Sequence, residues 1–97
     1  TEKHIKDDGK SLSGNGYVKL SNGLIIQWGF INTTSNPHII TLPIAFPNAI
    51  LNIEATGEYT SYGNASIFVT KNSSSKSNFK LYTENYVVDA YWVAIGY

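Results

Sequence analysis

The run LIIQWGFI, residues 24–31, constrains the fold of this 97-residue chain more than any other stretch. Its apolar side chains stand at consecutive positions. As an extended strand it places Leu24, Ile26, Trp28 and Phe30 on one face and Ile25, Gln27, Gly29 and Ile31 on the other. The ending AYWVAIGY repeats the arrangement, with Tyr91, Val93, Ile95 and Tyr97 opposite Trp92, Ala94 and Gly96. A strand apolar on both faces needs cover on both. A second sheet can supply one cover. No helical periodicity of useful length exists to supply the other, and a chain this short has too few elements for three layers. The remaining cover is another copy of the chain. The small Ala94–Gly96 face beside Trp92 is the one expected to let such a copy approach closely, and Ile25, Gln27, Trp28, Trp92 and Ala94 are the residues expected at the interface or in the core.

The rest of the chain continues the β pattern. Short apolar or alternating runs at 17–20, 24–31, 38–42, 50–56, 65–70, 78–83 and 90–96 are separated by turn signals, the mark of an all-β domain. The first two form a hairpin across Ser21, Asn22 and Gly23, where Asn and Gly tolerate positive φ. Pro43 and Pro47 cannot donate to a ladder, so the segment LPIAFPNA is a strand end and a corner. Period two places Leu51, Ile53 and Ala55 on one face with Asn52 and Glu54 on the other, and sets Ile67 and Val69 against Phe68. The expected architecture is an antiparallel β-sandwich of about six to seven strands at 16–97. The polar segment 1–15, rich in Gly, Ser and charge, reads as a connector. Beginning at Thr1 and lacking Met, the chain reads as a piece of something longer.

Composition excludes several functions. Seven Lys balance seven Asp plus Glu, and there is no Arg. Nucleic-acid binders carry a basic footprint and favour Arg for bidentate contacts, so nucleic acid is not expected as a partner. No apolar stretch approaches the ~20 residues of a spanning helix. With no Cys there is neither a disulfide framework nor a thiolate metal site. Two His and scattered carboxylates offer no nucleophile–base pair and no selected carboxylate pair, so no catalytic residues are assigned. The stretch HIKDDG at 4–9 lies in the connector and reads as solvated, so no metal and no cofactor is expected.

The stretches NGYVKLSNGLIIQWG, ITLPIAFPNAILNI and the terminal YWVAIGY resemble the C-terminal domain of tail fibres from contractile-tailed phages and related prophage and pyocin particles. The resemblance runs from Gly16 to Tyr97. The strand layout ending W-x-A-x-G is also similar to H-type lectins, in pattern and not in their sugar-binding residues. The resemblance implies a homotrimer at the fibre end, joined through 1–15 to an upstream shaft. It implies non-catalytic adhesion to bacterial surface polysaccharide or lipopolysaccharide, on a virion or pyocin particle at the host surface. A trimerisation cap without ligand, and a glycan depolymerase, are the alternatives.

Strand alternation locates a ligand end. If successive strands are antiparallel, the connections at 33–37, 57–64 and 84–89 share one end, while 21–23, 43–48, 71–77 and Tyr97 share the other. Sugars need planar donors and acceptors for their hydroxyls and an aromatic face for their C–H groups. The first end supplies both, through Asn36, His38, Tyr59, Tyr62, Asn64, Glu84, Asn85, Tyr86 and Asp89.

Overall fold

A computed structural model describes residues 9–32, 37–58, 66–71, 75–84 and 89–97. Among the described residues eight strands follow in chain order: β1 Lys10–Ser11, β2 Gly16–Lys19, β3 Ile25–Ile31, β4 His38–Thr41, β5 Ile50–Gly57, β6 Ser66–Lys71, β7 Asn78–Glu84 and β8 Ala90–Gly96. A five-stranded sheet has the order β1-β2-β3-β8-β5 and a three-stranded sheet the order β4-β7-β6. Every pairing is antiparallel. Seven strands coincide with runs legible in the sequence, their ends moved by a residue. The eighth, β1, lies within the polar N-terminal segment. It is held by the β2 register and by the Lys19 amide donating to the Gly9 carbonyl at 3.0 Å.

The β2–β3 turn forms as its residues dictate. The Leu24 amide donates to Asn22 Oδ1 at 3.0 Å, the Gly23 amide donates to the Leu20 carbonyl at 3.0 Å, and Gly23 takes φ +96°. Strand β3 then pairs along its full length with β8, from Ile25 opposite Gly96 to Ile31 opposite Ala90. This pairing of distant segments closes the larger sheet.

The core lies between the sheets. From the larger sheet it receives Ile25, Ala90, Trp92 and Ala94; from the smaller, Ile40, Phe79 and Leu81; from the β4–β5 connection and the start of β5, Leu42, Phe46 and Ile50. Phe79 meets Trp92 edge-on, with ring centroids 5.5 Å apart. Each buried Ile, Leu or Phe side chain contributes roughly 1.5–3 kcal/mol. Gly29 leaves room for this packing, because a β-carbon there would stand 2.5 Å from the Trp92 indole.

Two expectations are corrected. The small face of β8 does not receive another copy of the chain: the chain's own second sheet packs on it, burying Trp92 and Ala94 together with Ile25 and Gln27. Trp28 projects from the opposite face, half-buried, its indole N–H donating to the Ser13 carbonyl at 3.1 Å. In β5 the alternation breaks where the register shifts between Ile50 and Asn52. An extra residue in one strand flips the side chains beyond it. Ile50 is therefore buried and Leu51 is 57% exposed, while Ile53 and Ala55 still pack on the core.

The two sheets differ outside. In β7 inward Phe79, Leu81 and Thr83 alternate with Asn78, Lys80, Tyr82 and Glu84. On the larger sheet the outward face is apolar along its two central strands. Ile26, Trp28 and Phe30 stand opposite Ile95, Val93 and Tyr91, and among the described residues no strand packs over them.

Gly96 sits where the chain end crosses the β4–β5 connection. A β-carbon there would run into the Ala49 carbonyl oxygen and stand 2.8 Å from the Phe46 ring. Gly96→Ala is expected to cost about 1–3 kcal/mol by overpacking. Gly14→Ala, with nothing within 4 Å, is expected to stay within about 0.5 kcal/mol. Urea unfolding of the two variants checks the difference.

Candidate functional site

Hydrogen bonds group the connections at two ends, as strand alternation requires. At one end the Leu42 and Phe46 amides donate to the Ser77 and Lys76 carbonyls at 2.8 Å, and the Asn48 and Ala49 amides donate to the Tyr97 carbonyl at 2.6 and 2.9 Å. At the other, Asp89 is the hub. Its carbonyl accepts from the Glu58 amide at 2.8 Å, and its carboxylate accepts from Asn32 Nδ2 at 2.9 Å. One residue thus ties together the roots of the β3–β4, β5–β6 and β7–β8 connections.

Of the residues assigned to this end from sequence, Asn36, Tyr59, Tyr62, Asn64, Asn85 and Tyr86 lie outside the described residues. Three can be placed. Asp89 is half-buried at the hub. Glu84 is exposed at the end of β7, opposite Ser66. His38 opens β4 opposite Leu81, half-buried, and its Nδ1 is buried without a hydrogen-bond partner among the described residues.

Other residues beside this end carry suitable chemistry and were not singled out from sequence. Tyr91 is 54% exposed on the outer face of β8. Its ring lies 4.7 Å from that of Phe30 at 53°, and its hydroxyl donates to Glu58 Oε2 at 3.4 Å. A groove of about 190 Å³ runs beside it, lined by Glu54, Thr56, Tyr91, Trp92 and Val93. Glu54 and Thr56 follow period two along one face of β5, and Glu58 follows just past its end, which the sequence does reveal. Their neighbour Tyr91 depends on the β5–β8 register, which sets Thr56 opposite Tyr91 and Glu54 opposite Val93. Among the described residues no group of three or more His, Asp or Glu is placed to hold a metal ion.

Comparison with known proteins adds the family. Residues 19–97 match the family described as tail fiber protein gp53-like, C-terminal. In fold the chain is similar to the N-truncated R2-type pyocin tail fiber, with TM-score 0.78, 23% identity, and coverage of 92% of this chain and 37% of that one. It is also similar to the R2 pyocin fiber of P. aeruginosa, with TM-score 0.77, 23% identity, and coverage of 92% and 25%. For the N-truncated R1-type pyocin tail fiber the TM-score is 0.72 at 25% identity, with coverage of 92% and 84%. A curated relative, the uncharacterized protein MJ0347 of Methanocaldococcus jannaschii, is 43% identical over 58 residues, which are 56% of this chain and 34% of that protein. The chain therefore spans about a third of the length of that relative.

Proposed function

The chain belongs to the gp53-like tail fibre C-terminal family, a component of phage and pyocin tails, and from this premise we propose that it is the receptor-binding tip of a homotrimeric fibre. It attaches without catalysis to polysaccharide or lipopolysaccharide on the bacterial surface. The residues before β1 lead to the upstream shaft, and β1, paired with β2, joins 16–97 in the tip. The observation that carries the reading is the convergence of three connections on Asp89, at the end where the sequence concentrates Tyr, Asn and acidic side chains. Trimer assembly rests on the apolar outer face around Ile26, Trp28 and Ile95, over which no strand packs among the described residues, since an apolar patch of this kind on a small domain marks an association surface. Linking three weak sites raises attachment through effective concentration.

The same apolar face supports a second reading, a cap that trimerises and ends the fibre without a ligand. Binding of the labelled protein to a panel of bacterial cells and purified lipopolysaccharides separates the two. Strain-selective binding without a cleavage product is expected. A trimer that binds nothing on a broad panel would leave the cap. Tyr59→Ala with Tyr62→Ala is expected to weaken cell binding at unchanged solution mass; unchanged attachment would remove those residues from the site.

A further inference from the structure

We infer that the groove between β5 and β8 is a glycan subsite selective for uncharged sugars, with Tyr91 as its stacking platform and Glu54 and Glu58 as its hydroxyl acceptors. The inference rests on the adhesion reading above and gives it a ligand class.

The chemistry is complementary to a single sugar ring. Tyr91 offers a half-exposed aromatic face, held at its back by Phe30. Sugars present a C–H face that packs on such a ring, while their hydroxyls need acceptors beside it. Glu54 and Glu58 supply these. Each already accepts one bond, Glu54 from Asn52 Nδ2 and Glu58 from the Tyr91 hydroxyl, but both bonds are long at 3.4 Å. A carboxylate has about four acceptor positions, so most of that capacity remains. At about 190 Å³ the groove falls below the roughly 300–1,000 Å³ of pockets that enclose drug-sized ligands. It suits one ring of a chain that continues across the surface.

Position keeps the groove open in an assembled fibre. The apolar stripe of the outer face ends at β8, and the neighbouring row of β5 is Asn52, Glu54 and Thr56. Burying two unpaired carboxylates under a second subunit would be costly. A copy centred on Ile26, Trp28 and Ile95 therefore leaves Tyr91, toward the opposite end of β8, and the β5 row at the margin, in water. That margin adjoins the Asp89 hub through the Glu58 amide.

Charge sets the ligand class. The groove is lined by Glu54, Thr56, Tyr91, Trp92 and Val93, with Glu58 beside it on the Tyr91 hydroxyl, and none is a cation. Two carboxylates without a neighbouring cation among the described residues repel uronic acids and phosphates, and like-charge repulsion excludes ligands as effectively as contacts select them.

The test is equilibrium binding of the protein to delipidated O-polysaccharides, one set uncharged and one bearing uronic acid or phosphate. Wild type is expected to retain members of the uncharged set. Tyr91→Ser should weaken that binding at least about tenfold at unchanged solution mass, while Tyr91→Phe, which keeps the ring, should lose less. Glu54→Gln with Glu58→Gln should admit acidic chains that wild type rejects. If Tyr91→Ser binds as wild type while Tyr59→Ala with Tyr62→Ala does not, the subsite assignment falls and the adhesion reading stands. A wild-type preference for the acidic set also overturns the assignment. Binding to neither set overturns both.

Discussion

Replacing Gln27 with Leu is expected to destabilise the fold by about 3 kcal/mol. Gln27 is fully buried in the middle of β3, a place where an unpaired amide would be severely unfavourable. It is paired twice with one residue: Nε2 donates to the Ile44 carbonyl at 2.9 Å, and the Ile44 amide donates to Oε1 at 3.0 Å. The side chain thus acts as a strand partner for an irregular segment between Pro43 and Pro47 that cannot form a ladder of its own. Leu fills nearly the same volume, so the loss is the hydrogen bonds and not a cavity. The Ile44 N–H and C=O are left unpaired, at about 1–3 kcal/mol each, toward the lower end because Ile44 is half-buried. For a domain of this size each kcal/mol moves the midpoint by about 4–8 °C, so thermal unfolding should fall by about 12–24 °C. A loss under about 1 kcal/mol would mean that water or a shifted backbone satisfies Ile44, and that Gln27 does not anchor the corner.

The second large effect concerns assembly. Ile95→Glu is expected to leave the chain folded and abolish its self-association. Ile95 lies on the outer face of β8, between Ile26 and Asn52 in register, and away from the Tyr91 groove. In a single copy it is only half-buried, so a carboxylate there reaches water. Pressed against another copy it would be an unpaired buried charge, which costs several kcal/mol at each contact, or more than about a hundredfold in association per interface. Sedimentation should show wild type as a trimer and the variant as a monomer with unchanged far-ultraviolet circular dichroism. A variant that remains trimeric would remove this face from the seam.

Much of the fold is legible from the chain because turn residues mark the strand ends and period two marks most faces. What escapes has physical reasons. Two residues carry no period, so Lys10–Ser11 cannot be recognised as a strand. A bulge has no composition of its own, so Leu51 reads as inward. In β3 and β8 both faces are apolar, and the small Ala94–Gly96 row argues for the wrong one: it suggests close approach of another copy, yet the chain's own second sheet packs there, with Gln27 buried and paired to the Ile44 backbone. The choice between faces is made by Phe46 and Phe79, which arrive from distant segments. The site is legible as an end, because strand alternation alone groups its connections. Tyr91 and its acidic neighbours are not, since residues 54 to 58 meet it only through the long-range register of β5 on β8.

The most direct test of a glycan-binding fibre tip is adsorption of the labelled protein to paired strains of one host that differ only in surface polysaccharide. The account predicts that removing the polysaccharide abolishes adsorption, and that the purified polysaccharide competes for adsorption to intact cells. Equal adsorption to both strains, undisturbed by the purified polysaccharide, would contradict it.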